Sequence, residues 1–142
     1  MKKKSRSDWP YPILVLWLII VDQLSKYLII SRNPYVDTGL FSLHLVTNSG
    51  SSFGLFKGFN FALVWISLIA IGALLYHWDS LSKSKALPVM LILAGIIGNL
   101  IDRLHYGFVI DFIDFKFWPV FNIADSCITI GVIWWIVKEW RK

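Results

Sequence analysis

The chain has 142 residues, of which 56% are hydrophobic and eight are tryptophan, and a formal net charge of +5. One domain is expected at this length, and a mean hydropathy of +0.62 argues for a membrane protein over a soluble globular one. The basic residues gather at the two ends and in one short connection, with no basic helix interleaved with aromatics, so no nucleic acid partner is expected.

In chain order, Lys2, Lys3, Lys4 and Arg6 precede an apolar run over about residues 11–30, broken by Asp22, Gln23, Ser25 and Lys26. This looks like the start of a signal peptide, but no small-residue cleavage site follows it, and an uncleaved first span is expected. Asp22 and Lys26 stand at i and i+4, the spacing of an ion pair on one helix face. Ser25 beside Lys26 is a poor nucleophile–base pair, because adjacent helical positions point about 100° apart.

The triplet Asp37-Thr38-Gly39 looks like that of soluble aspartic proteases, but those enzymes need two copies, and a turn is expected here. Phe41, Leu43 and Leu45 alternate with Ser42 and His44 before Gly50 and Gly54. The pattern predicts a strand entering a glycine-rich turn, as in a hairpin, within an outer β segment over about residues 38–56. A second span covers about residues 59–76 and is nearly free of polar groups. A third starts near Pro88, a residue suited to the first helical turn, and reaches about residue 101. A fourth covers about residues 122–137 and ends in KEWRK. The four spans form one membrane-embedded domain over residues 1–142.

Four spans put both termini and the connection over residues 78–85 on one side, with nine Lys/Arg against five on the other. Both termini are therefore expected in the cytoplasm. Six of the nine carboxylates fall near the outer face: Asp22, Asp37, Asp102, Asp111, Asp114 and Asp125. Cys127 is the only cysteine and reads as a packing residue. His44, His77 and His105 lack metal-ligand spacing, so neither a metal nor another cofactor is expected.

The outer ends of spans three and four echo each other: NLID carries Asn99 and Asp102, and NIAD carries Asn122 and Asp125. Positions i and i+3 share a helix face, so two polar spots would meet at the membrane boundary. Capping accounts for Asn122. Asp102, at the unfavourable end of the helix dipole, calls for a cation, and Arg103 is the neighbour available. Between these motifs lies the aromatic stretch VIDFIDFKFWPV (109–120). Two desolvated carboxylates at short range share a proton; the ionised one can activate water while the protonated one polarises a peptide carbonyl.

DQLSK (22–26), TNSGSSFG (47–54), AGIIGNLIDR (94–103), VIDF (109–112) and PVFNIADS (119–126) occur in this order along most of the chain. Together they resemble bacterial lipoprotein signal peptidase, the signal peptidase II family. The resemblance implies a mainly α, integral membrane fold: a four-transmembrane-helix bundle with a small extracytoplasmic β-cradle. It implies an aspartic endopeptidase of the bacterial inner membrane that cuts diacylglyceryl-modified prolipoproteins before the lipidated cysteine, acting as a monomer among membrane lipids. By motif match, the catalytic pair would be Asp111 and Asp125. Asn99, Asp102, Arg103 and Asn122 would support the pocket, Asn48 and Gly50 would lie in the cradle and contact substrate, and Asp22 and Lys26 would form a polar pair on the first helix. Asp114 has no counterpart in the motif and reads as a structural or surface carboxylate.

The chain departs from the family pattern in Ser52 for Ala, in Ala94 for the first Gly of a pair, and in the short separation of Asp111 and Asp125. The last of these bears on the loop over the site, and so on substrate selection. A different class of function, a transporter or proton-relay subunit using the outer carboxylates, would need polar groups lining a path across the bilayer.

Overall fold

The computed structural model describes residues 11–50 and 60–140. The basic N-terminal residues, the end of the glycine-rich turn from Ser51 to Gly54, and Arg141 and Lys142 lie outside the described residues. Four α-helices, α1 (Tyr11–Arg32), α2 (Asn60–Tyr76), α3 (Lys83–His105) and α4 (Ile123–Trp140), accompany three strands, β1 (Val36–Asp37), β2 (Ser42–Asn48) and β3 (Val109–Asp114). A short 3-10 helix, Trp78–Ser80, joins α2 to α3.

The helices are apolar enough that their polar residues mark the inside. On α1, Asp22 and Lys26 are 2% and 1% exposed while Trp17 is 58% exposed. That inverts the soluble pattern and suits a lipid solvent. Two helices, over Pro12–Arg32 and Ser84–His105, are long and apolar enough to cross a membrane; Asn60–Tyr76 is apolar but shorter.

Helix α3 packs against the other three. Its contact with α4 depends on residues without side chains: a Cβ at Gly95 would lie 2.3 Å from the Ala124 carbonyl, and one at Gly131 would lie 2.7 Å from that of Pro88. Small residues allow this backbone approach, as is usual between membrane helices. The helix starts at Lys83, so Pro88 is inside it and not in its first turn. Near a helix start the missing proline N–H forfeits only the bond to Ser84, and the basic residues upstream remain helical.

The sheet order is β1-β2-β3, antiparallel throughout. The residues that would follow the turn of the expected hairpin lie outside the described residues. Among the described residues the long partner of β2 is β3, with Leu43 opposite Ile113 and Asn48 opposite Val109. The register shifts between Leu43 and Val46, a bulge that bends the strand beside the candidate site. Leu43 and Leu45 pack against Ile29, Ile110 and Phe112, tying the sheet to the end of α1. Asp37 accepts from the Gly39 N–H at 2.7 Å in a turn with Gly39 at φ 85°, and pairs with Lys116 at 2.8 Å. The Asp37-Thr38-Gly39 triplet is thus a turn, and the Lys116 ammonium and the Gly39 N–H hold the Asp37 carboxyl below its ordinary value.

Candidate active site

Helix α4 begins with a capping box. Asn122 precedes its first residue and accepts the Asp125 N–H on Oδ1 at 2.8 Å, while Asp125 Oδ2 accepts the Asn122 N–H at 3.2 Å. Two orphan donors of the helix start are satisfied reciprocally. Capping is only half of what Asn122 does. Its Nδ2 donates to Asp111 Oδ1 at 2.8 Å and also lies 3.0 Å from Asn99 Oδ1 and 3.2 Å from the Ile110 carbonyl. One fully buried residue therefore touches both carboxylates of the expected pair, Asp111 through its side-chain amide and Asp125 through its backbone N–H.

Asp111 is on β3, opposite Val46. Asn48 pairs with Val109, two residues before Asp111, and diagonal neighbours on one sheet face are within reach. Asn48 Nδ2 donates to Asp111 Oδ2 at 2.9 Å, and the Gly50 N–H donates to Asn48 Oδ1 at 3.0 Å, which fixes which way the amide faces. Burial and the neighbouring Asp125 charge push the Asp111 carboxyl up to about 6, against the lowering effect of its bonds from Asn48 and Asn122. This carboxyl is placed to hold a proton that an exposed aspartate would give up.

Below the pair is a buried cation. Lys26 Nζ donates to Asp22 Oδ2 and Asp102 Oδ2, both at 2.8 Å, and to Asn99 Oδ1 at 3.2 Å. Three donors meet three acceptors, which is what a buried ammonium needs. Because Lys26 only donates, the Asn99 oxygen must face it, and Asn99 Nδ2 then donates to Asp125 Oδ1 at 2.8 Å. Asn99 thus links Lys26 to the candidate pair.

The partner of Asp102 is Lys26, and not Arg103 as expected. Next to Asp102 in sequence, Arg103 has its guanidinium near its own helix, 3.5 Å from the Asn99 carbonyl. Helical neighbours diverge, whereas a lysine on α1 reaches across the interface. The second oxygen of Asp102 accepts from Gln23 Nε2 at 2.9 Å, and its first accepts the Ile110 N–H at 3.1 Å, pinning β3 one residue before Asp111. On α1, Asp22 also accepts the Ala124 N–H on Oδ1 at 2.8 Å. A carboxylate on one helix therefore caps the start of another, where the dipole favours it.

Every site residue named from the sequence falls in this network or on the cavity beside it. Asn48, Gly50, Asn99, Arg103 and Asp125 line a cavity of about 160 Å³, together with Ser67, Ile96, Val109 and Ile128. Asp114 stands apart, near Ser42 Oγ at 3.4 Å and accepting the Lys116 N–H at 2.7 Å, so it shapes a turn. Ser25 Oγ donates to the Asp22 carbonyl at 2.7 Å and takes no part with Lys26. Sequence reasoning missed Gln23, whose signal was its place beside Asp22 in an apolar run. It also missed Ser67, the one buried residue of α2.

Two carboxylates tied through one residue beside a cavity, one to its side chain and the other to its backbone N–H, can share a proton and work on one water from two sides. Known proteins resemble this chain over most of its length. A lipoprotein signal peptidase of Halothermothrix orenii is 36% identical over 137 residues, covering 92% of this chain and 94% of that protein. Another, of Syntrophomonas wolfei, is 43% identical over 126 residues, covering 83% and 84%. A solved structure described as a bacterial membrane enzyme, obtained by the in meso method at 2.3 Å, superposes with a TM-score of 0.87 at 30% identity, covering 92% of this chain and 87% of that one. A second, at 1.9 Å, gives a TM-score of 0.81 at 31% identity, covering 91% of each chain. The family model described as Signal peptidase (SPase) II matches residues 14–141, and the chain belongs to that family.

Proposed function

We propose that Asp111 and Asp125 are the catalytic pair of an aspartic endopeptidase that removes the signal peptide from diacylglyceryl-modified prolipoproteins, cutting before the lipidated cysteine. Membership of the signal peptidase II family makes the chain a protease. The observation that carries the assignment is the contact of Asn122 with both carboxylates, 2.8 Å from Asp111 Oδ1 and 3.2 Å from Asp125 Oδ2, at the edge of the cavity.

In this reading the pair carries one proton. The ionised carboxylate takes a proton from water as the water oxygen attacks the peptide carbonyl carbon. The protonated carboxyl gives its proton to the carbonyl oxygen, forming a neutral tetrahedral diol. Collapse of the diol breaks the C–N bond, with one carboxyl protonating the leaving nitrogen and the other carboxylate taking a hydroxyl proton back. Neither a metal nor a nucleophilic side chain enters these steps. Asn122, Asn48 and Asn99 position the pair. Asp22, Lys26, Gln23 and Asp102 hold α1, α3, β3 and α4 in register around it, and Arg103 presents a cation to the cavity.

All four helices are assigned as spans of one domain, with the sheet as an outer cradle, both termini in the cytoplasm and the pair near the outer face of the inner membrane. The exposed apolar surfaces of α2 and α4, with Phe61, Ile69, Ile133 and Trp140 more than half exposed, support that reading through contact with lipid. A monomer suffices, since all these groups belong to one copy.

The test is processing of a lipidated precursor by purified Asp111→Asn and Asp125→Asn. Each is expected to fold and to lose cleavage, and full activity in either would overturn the assignment.

A further inference from the structure

Helix α2 is apolar along its length, and the residue it buries is polar. Ser67 is 9% exposed, and it is the residue through which α2 enters the wall of the 160 Å³ cavity. On the same face Ile71 and Leu74 pack against the Val89, Met90 and Leu93 cluster of α3, as expected for helical spacing. Leucine or isoleucine would extend that packing, but at Ser67 it would fill the cavity.

The hydroxyl is used in one direction only. Ser67 Oγ donates to the Leu63 carbonyl at 2.9 Å, the usual back-bond of a mid-helix serine. That consumes its one proton and leaves its lone pairs as acceptors. Among the described residues no donor is directed at them. Already bonded through its proton, the Ser67 oxygen can still accept, and the polar donor that a bound peptide carries is a backbone N–H.

Size acts at the same place. Ile96, Val109 and Ile128 supply the apolar part of the wall, and Asp125 sits on its polar part. An apolar cavity of about 150 Å³ holds one benzene-sized group. A cavity of 160 Å³ that must also admit the peptide unit being cut leaves space for only a short side chain.

We propose that Ser67 is a specificity-determining residue: its Oγ accepts a backbone N–H of the bound precursor, and its small side chain sets the space for the residue next to the cleaved bond. The proposal rests on Asp111 and Asp125 as the catalytic pair, and it adds a residue from α2 that lies outside every motif of the family resemblance.

The experiment uses the full chain reconstituted in lipid vesicles, with lipidated precursor peptides that carry Ala or Leu immediately before the lipidated cysteine. Ser67→Ala removes the acceptor and keeps the space. It is expected to raise KM by roughly 3–10-fold with kcat within about twofold, the effect of one net hydrogen bond. Ser67→Val narrows the cavity, and is expected to lower kcat/KM for the Leu precursor relative to the Ala precursor by a further factor of about 10 or more. Ser67→Gly is expected to move that ratio the opposite way. Loss of packing alone would scale both precursors together. An unchanged KM in Ser67→Ala with an unchanged Leu-to-Ala ratio in Ser67→Val overturns the proposal. Cleavage by Asp111→Asn or Asp125→Asn in the same assay would instead overturn the catalytic pair beneath it.

Discussion

Asn122 Nδ2 lies 2.8 Å from Asp111 Oδ1, and the same side chain caps the helix that carries Asp125. Helix initiation and carboxylate placement therefore run through one residue, and they can be separated by substitution. Serine caps as well as asparagine but is too short to reach Asp111. Asn122→Ser is expected to keep most of the thermal stability and to lower kcat by about 100-fold, the effect of a group misplaced by about 1 Å. Asn122→Ala should lose the cap too, at about 1 kcal/mol, so that its melting temperature falls below that of the serine variant. Equal activity in Asn122→Ser and the parent protein, measured by precursor cleavage, would show that the bridge does not position the pair.

The pH dependence follows from Asp111. Its carboxyl is pushed up to about 6 by burial first and by the Asp125 charge second. Catalysis needs one proton on the pair, so kcat/KM should fall as pH rises through that region. The hydrogen bond from Asn48 favours the ionised form and holds the value down. Asn48→Ala removes it, so Asp111 should rise further and the alkaline limb of the pH–rate profile should move to higher pH. Stability linked to this group has the corresponding sign: it is present below the ordinary value of 3.8 and lost as pH rises through about 6. An alkaline limb that stays in place or moves to lower pH in Asn48→Ala would contradict this account.

What could be read along the chain depended on range. Hydropathy located the helices because each is a local run, and the N-x-x-D pairs stood out because i and i+3 share a face. Asp22 and Lys26 were paired correctly for the same reason. Across the fold, the local argument failed. Asp102 was matched with its neighbour Arg103, whereas its cation, Lys26, comes from another helix. The burial of Gln23 against Asp102 could not be foreseen without the α1–α3 contact. Likewise, β3 was visible as an aromatic stretch bearing Asp111, but its pairing with β2 is a contact between residues 61 to 72 positions apart. Ser67 was hidden for a further reason: one serine in an apolar helix gives no period to read.

The Lys26 cluster makes a prediction about folding. Asp22 and Asp102 are 2% and 0% exposed, and both accept from the one ammonium. Lys26→Met leaves two buried carboxylates facing each other without a cation, which is expected to cost about 3–5 kcal/mol. Adding Asp22→Asn and Asp102→Asn to Lys26→Met should recover part of that loss, because the buried charges then disappear together. Thermal unfolding in detergent measures both. A single Lys26→Met variant as stable as the parent would mean that water reaches the cluster.

The glycines of α3 couple packing to the site. A Cβ at Gly98 would lie 2.7 Å from Asp22 Oδ2 and 3.2 Å from the Ala124 side chain. The Asp22 carboxylate cannot retreat freely, since one oxygen holds the Ala124 N–H and the other holds Lys26. Gly98→Ala should therefore push α3 from α1 and α4, costing about 1–3 kcal/mol by overpacking. It should also lower cleavage, because Asp22 caps the helix that bears Asp125. Gly72 on α2 supplies the control, for a Cβ there meets nothing within 4 Å. Gly72→Ala should raise stability by about 0.5–1 kcal/mol through helix propensity and leave cleavage unchanged. Opposite shifts in melting temperature for these two substitutions are the expected outcome; a loss of the same size in both would mean that helix backbone, and not the Asp22 contact, sets the cost at Gly98.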